Sequence, residues 1–251
     1  MDMNDPALAA LIELHAGLPR QGPGDAAFSR RVLAMLPDLP ERPRIIDMGC
    51  GSGAGTLVLA EHFGAVVTAV DLFPTFLGQL KQTAEERGLS HLVRTVEADM
   101  GDLELSEASI DLLWSEGAAY ILTFAGALQR WRPLMVDGGV AVISEISWFA
   151  EDVPDVLAAY WEQAYPAIAD EALNRERAEA AGFAVLGVQR LPSAAWWDNY
   201  YGPLQRRIAE VAPVAGEVMR SVIVECEDEM ELFRRYSDYY GYSFYILEAA
   251  R

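Results

Sequence analysis

A short apolar run, Ile45-Ile46-Asp47-Met48, leads directly into Gly49-Cys50-Gly51-Ser52-Gly53-Ala54-Gly55. Nothing else in the chain constrains its fold as strongly. Glycines let a backbone turn tightly and approach a ligand with no Cβ in the way. The helix expected at 56–63 would present unpaired N–H groups and the positive end of its dipole to whatever lies in the loop. That end suits a nucleotide phosphate or the carboxylate of an amino-acid-like ligand.

The rest of the chain continues the alternation. Strands are expected at 65–70, 92–97, 110–114 and 140–146, with helices at 74–87 and 125–135 between them. These strand segments lack period-2 alternation, as strands buried on both faces should. The expectation is an α/β protein: a Rossmann-like, seven-stranded, mostly parallel sheet with helices on both faces. Residues 1–40 read as an N-terminal helical cap, with a break at Arg20-Gln21-Gly22-Pro23-Gly24 and an N-cap at Asp25. Helices at 155–165 and 170–181 precede a strand at 185–191. Residues 41–193 and 241–251 form the expected core, and 194–240 an inserted helical lid between the last two strands, with turns at Gly202-Pro203 and Pro213. The terminal strand is expected at 242–248.

The glycine loop alone does not identify its ligand. Gly49-x-Gly51-x-x-Ala54 satisfies a loose dinucleotide fingerprint, and Asp71 stands where an acid binds ribose hydroxyls in either cofactor class. An NAD(P)-dependent oxidoreductase therefore stays open at this point. Three features favour S-adenosylmethionine. Asp47, two residues before Gly49, can receive an ammonium group, whereas a pyrophosphate would be repelled. Glu97-Ala98-Asp99-Met100 follows the third strand, where an acid can accept from an adenine amino group. A late β-rich segment follows the Ala181-Gly182-Phe183 strand.

The chain resembles the class I S-adenosylmethionine-dependent methyltransferases of the small-molecule type, in the ubiquinone- and menaquinone-biosynthesis-like branch. The likeness lies in IIDMGCGSGAGTLVLA (45–60), VTAVDLFP (67–74), VEADM (96–100), IDLLWSEGAAYIL (110–122) and WRPLMVDGGVAVISEISWF (131–149). A looser match covers 181–192 and 244–250. The resemblance implies that Gly49, Gly51 and Gly53 cradle the methionine moiety and that Asp47 faces its ammonium. It places Asp71 on the ribose, Leu72 or Phe73 beside the adenine, and Asp99 and the Met100 backbone on the adenine edge. Ser115 and Glu116 would line the passage to the acceptor, and Arg20 and Gln21 would belong to a segment folded over the cofactor. The product would be S-adenosylhomocysteine.

Methyl transfer needs a base only when the nucleophile must lose a proton. Glu116 is the best-placed candidate, followed by Tyr120, Glu145 and His15. Trp148, Trp196, Trp197, Tyr200 and Tyr201 are candidates for an aromatic substrate pocket, against the plainer reading that they are core of the lid. Glu145 is placed in the same pocket. Cys226, among Glu225, Glu227, Asp228 and Glu229, reads as part of a solvated acidic face. No His, Cys or carboxylate spacing supports a metal site.

With 19 Lys+Arg against 38 Asp+Glu, the net charge is −19. Nucleic acid and anionic membranes are therefore unfavourable partners. The Trp114-Ser115-Glu116-Gly117 string also lacks the Asn/Asp-Pro-Pro-aromatic pattern of nucleic-acid amino-methyltransferases. No apolar run reaches the roughly 18 residues of a membrane span, and no leader opens the chain, so the expectation is a cytoplasmic protein. A homodimer through the apolar helices near 150–170 is a further expectation. A non-catalytic S-adenosylmethionine-binding module is the alternative from another functional class.

Overall fold

The computed structural model describes residues 4–250. Strands β1 (Ile45–Met48), β2 (Val67–Asp71), β3 (Val93–Glu97), β4 (Ile110–Ser115) and β5 (Met135–Trp148) run parallel in the order β3-β2-β1-β4-β5. The sheet has an eighth strand where seven were expected. This extra strand, β6 (Ala169–Asp170), is two residues long and pairs with the end of β5 off the main path. The path continues through β8 (Tyr240–Ala249), antiparallel to β5, to β7 (Phe183–Arg190) at the edge.

Side chains alternate between the faces of the central strands, and both faces are apolar. Ile45, Leu112, Trp114, Val140, Val142, Phe244 and Ile246 belong to one core. Ile46, Met48, Leu113, Ala141, Ile143, Tyr245 and Leu247 belong to the other. On the first face lie α2 (Ala26–Leu33) and α3 (Ala54–Phe63), together with the later helices α8 (Ser193–Trp196), α9 (Gly202–Val211) and α10 (Glu217–Tyr236). On the second lie α5 (Phe124–Trp131) and α7 (Glu171–Ala180). Helix α1 (Pro6–His15) packs on α9 and α10, so the cap and the lid segment meet over the sheet. Helix α4 (Pro74–Glu86) closes a smaller cluster at the β2 side, and α6 (Asp155–Ala164) precedes β6. Among the described residues, no helix is long and apolar enough to cross a membrane.

The expected turn at Gly202-Pro203 is not there. Trp197–Tyr201 forms one π-helical turn that runs straight into α9, with Pro203 in its first turn. Proline lacks the N–H that a continuing α-helix would use, and a π turn absorbs such a register change. Gly202 is also the residue that fits, because a Cβ there would lie 2.7 Å from the Trp197 carbonyl oxygen.

The later helices are anchored to the sheet by aromatic packing. Phe233 of α10 is buried, stacks on Trp196 with centroids 4.1 Å apart, and meets Tyr201 and Tyr240 edge-on. Phe233→Ala should cost about 3–5 kcal/mol of global stability. In a urea titration followed by far-UV circular dichroism, the midpoint should fall in a single transition. Loss confined to a separate early transition would show that these helices unfold independently of the sheet.

Candidate active site

Parallel strands place their carboxyl ends together, and a crevice opens where the strand order reverses. Here β1 lies between β2 and β4, so the glycine loop, Asp71, Asp99 and Glu116 converge. A cavity of about 500 Å³ occupies this crevice. It is lined by Asp47, Gly49, Gly51, Asp71, Leu72, Asp99 and Met100 at one end, and by Leu11, Ile12, His15, Tyr200, Cys226 and Glu229 at the other. Arg20, Gln21 and Glu116 also stand on its wall.

The loop is shaped by backbone that other residues rarely adopt. Gly49 and Gly51 have φ of +70° and +53°. A Cβ on Gly49 would overlap the Ala118 methyl, and one on Gly51 would crowd Gln21 Oε1 at 2.6 Å. The Asp71 carboxylate braces the turn, accepting from the Gly51 N–H at 2.8 Å and the Phe73 N–H at 2.9 Å. Burial raises its pKa, and these hydrogen bonds oppose the shift. Asp99 accepts from the Gly101 N–H through Oδ1.

Asp47 is only 2% exposed. Its Oδ2 accepts from the Thr56 hydroxyl at 2.6 Å. Burial pushes its pKa up to about 7, opposed by the Thr56 hydrogen bond and reinforced by Glu116 and Asp71. Close by, Arg20 donates from Nη1 to Glu116 Oε2 at 2.7 Å, while its buried Nη2 has no hydrogen-bond partner. An acid seeking a cation and a guanidinium with an unused N–H₂ thus share one end of the cavity. Gln21 holds the cap to the loop by accepting from the Ser52 N–H at 2.7 Å.

Several expected residues have other tasks. Glu116 does not fit as a free base: it accepts from Arg20, from the Ser29 hydroxyl at 2.8 Å and from the Trp114 indole at 2.9 Å. Tyr120 is a poor base as well: the residue is 47% exposed, but desolvation of its hydroxyl, then Glu229 and Glu145, raise its pKa. His15 is held by its Nδ1–H donating to the Leu11 carbonyl at 2.8 Å. That leaves Nε2 to accept from the Tyr200 hydroxyl at 3.0 Å, and burial lowers the imidazole pKa, so the ring is neutral. Ser115 is buried under the loop and donates to the Met48 carbonyl. Gly53 caps α3 against Leu80 and does not line the cavity.

Of the expected substrate-pocket residues, Tyr200 alone lines the cavity. Trp148 packs edge-on against Tyr240, Trp196 is core, and Trp197 lies under the Arg234 guanidinium. Glu145 is 1% exposed and lies behind the cavity wall. Neither of its oxygens has a hydrogen bond of ordinary geometry, and burial pushes its pKa up to about 8.

Cys226 and Glu229 were expected on a solvated face, yet both line the cavity. The signal was present in α10: Met219, Val222, Ile223, Met230 and Phe233 form its buried stripe, and positions 226 and 229 fall within it. A carboxylate on such a stripe marks a site more strongly than the acidic run around it.

Residues 45–139 match the family model described as a methyltransferase domain. The Escherichia coli protein YjhP is 34% identical over 119 residues, which are 47% of this chain and 46% of that protein. The sarcosine/dimethylglycine N-methyltransferase of Halorhodospira halochloris is 28% identical over 109 residues, 41% of this chain and 39% of that enzyme. The matched stretch thus spans less than half of these relatives' length. The X-ray structure of YjhP superposes with a TM-score of 0.82 at 22% identity, covering 96% of this chain and 99% of that one. An S-adenosylmethionine-dependent methyltransferase from Geobacter sulfurreducens, in complex with S-adenosyl-L-homocysteine, superposes with a TM-score of 0.80 at 19% identity, covering 95% and 97%. The glycine loop and the strands up to residue 139 thus match a methyltransferase-domain model, and the whole chain shares its fold with these two solved structures.

Both cysteines are poor thiolates. Burial, then Asp47 and Asp71, raises Cys50, and burial with Glu229, Glu225 and Glu227 pushes Cys226 up to about 12. At pH 8 both should react with a maleimide at least ~10-fold more slowly than a free thiol. Stopped-flow labelling followed by peptide mapping checks this, with full reactivity expected in denaturant.

Proposed function

We propose that the protein is an S-adenosylmethionine-dependent methyltransferase acting on a small-molecule acceptor. The observation that carries this reading is the amino-acid end of the cavity. Asp47, with one oxygen unengaged by any protein donor, and Arg20, with its orphan Nη2, match a zwitterion's ammonium and carboxylate. The glycine turn beside them has no room for a Cβ. When bound, the cofactor supplies a methyl group activated by a sulfonium.

The chain's own residues would hold, orient and enclose. Asp71, already aligned by two backbone N–H groups, has acceptor capacity left for ribose hydroxyls. Leu72 and the Met100 backbone flank the adenine position, and the second Asp99 oxygen is free for its amino group. The cap, fastened by Gln21 to Ser52 and by Arg20 to Glu116, would cover one side of the bound cofactor. Positioning of this kind supplies much of the rate in a displacement that needs no cofactor-independent activation. Asp47 would repel a pyrophosphate, which disfavours the dinucleotide alternative. The relatives' names cover nitrogen and other acceptors, so likeness does not choose the atom or the proposed quinone-like branch.

S-adenosylhomocysteine at a hundred times its Kd should stabilise the fold by about 2.7 kcal/mol, whereas NADH should not. Thermal unfolding with each ligand reads this directly, and a shift by NADH alone overturns the reading. Gly49→Ala should abolish the shift.

The pH dependence follows from Asp47. Its carboxyl is protonated below about 7 in the ligand-free protein, and an ammonium requires it ionised. Affinity for S-adenosylhomocysteine should rise as pH increases from 5.5 through about 7. Stability of the ligand-free protein has the opposite sign: the raised pKa contributes stability below the ordinary carboxylate range, and that contribution is lost as pH rises through about 7. Asp47→Asn should flatten both dependences, as calorimetry across pH would show.

A further inference from the structure

The end of the cavity away from the glycine loop has a chemistry that the methyltransferase reading does not use. Its mouth is apolar and open to solvent: Leu11 is 39% exposed, and Tyr120 and Ile121 are each 47% exposed. Its wall also carries a carboxylate. Glu229 lines the cavity and accepts from the Tyr201 hydroxyl at 2.7 Å through one oxygen. Among the described residues, no Lys, Arg or His lies within ion-pair distance of Glu229, and Arg20, which pairs with Glu116 and not with Glu229, is the one guanidinium or ammonium group on the cavity wall. His15, the remaining basic group there, is neutral and occupied by Tyr200.

Glu229 is half-buried, and a partly desolvated carboxylate without a counter-charge is stabilised by a ligand that brings one. Aromatic faces beside it also attract cations. An anionic ligand would meet Glu229 with nothing to neutralise it. Tyr200 and Tyr201, both in the π turn at Trp197–Tyr201, meet His15 and Glu229 respectively.

Resting on the methyltransferase reading, we propose that the acceptor is a small protonated amine with an apolar or aromatic body, its nitrogen on Glu229 and its body against Tyr120, Tyr200 and Leu11. The nitrogen must shed a proton before it is a nucleophile. Glu229 takes it: one N–H bond breaks, an O–H bond forms on the carboxylate, and the nitrogen keeps the electron pair. Burial, opposed by the Tyr201 hydrogen bond, raises the Glu229 pKa, which makes it a readier proton acceptor than an exposed carboxylate.

The test compares three near-isosteric probes by calorimetry at about pH 7.5, where an alkylamine is protonated: 2-phenylethylamine, 2-phenylethanol and 3-phenylpropanoate. Each is titrated with and without saturating S-adenosylhomocysteine. The amine should bind at least about tenfold more tightly than either isostere. Glu229→Gln should remove that preference and leave S-adenosylhomocysteine affinity unchanged, while Glu229→Asp, which keeps the charge, should retain part of it. Equal or tighter binding of the alcohol or the carboxylate, no binding of the amine, or wild-type amine affinity in Glu229→Gln would each overturn the proposal. Failure of S-adenosylhomocysteine to bind overturns the methyltransferase reading instead, and the amine preference measured without it still decides this one.

Discussion

The Glu116 carboxylate joins the two parts of the molecule that must meet for the cavity to exist. It sits just past β4 and accepts from Trp114 of that strand, from Ser29 of α2 and from Arg20 of the cap. Arg20 and Glu116 side chains are 10% and 8% exposed, so the pair is largely desolvated. Removing one member of such a pair strands the other and costs several kcal/mol, typically about 3–5. The pair therefore specifies where the cap lies more than it adds to stability. Gln21, adjacent in sequence, then reaches the glycine loop, and α1 is carried onto α9 and α10.

The same geometry concentrates negative charge. Asp47, Asp71, Glu116, Glu229 and Asp99 line a single cavity, and Arg20 is the one guanidinium among them. Burial raises Asp47, Asp71 and Glu229 together. On the proposed reading, each end would take a cationic group from its ligand. The cofactor's ammonium would answer Asp47 and the acceptor's nitrogen would answer Glu229. The formal net charge of −19 works in the same direction at long range, enriching cations and repelling phosphates.

The central fold was legible because it is built from local patterns. Apolar runs such as Ile110–Ser115, buried along their whole length, announce strands of a two-sided sheet. Gly49 and Gly51 announce a turn that only glycine makes easily. Asp47, Asp71, Asp99 and Met100 are tied to those strands by short offsets, so their placement at one cavity followed from strand order. What misled was the counting of aromatic residues near the lid. Trp196 and Trp197 differ from Tyr200 by a few residues of sequence, yet a π turn sends Tyr200 to the cavity and leaves Trp196 stacked on Phe233.

By itself the sequence determined the α/β class, the glycine turn and the acids beside it, since each depends on residues within one strand–loop–helix unit. Only the tertiary structure decided which groups remain free to act. Glu116 lost its candidacy as a base to Ser29 and Arg20, which lie 87 and 96 residues away in the chain. Glu229 became a cavity residue because α10 lays its buried stripe across the crevice, and Tyr201, 28 residues earlier, fixes its carboxylate. Hydrogen-bond saturation and burial are properties of neighbours distant in sequence. They arise when the chain packs, and no spacing rule along it encodes them.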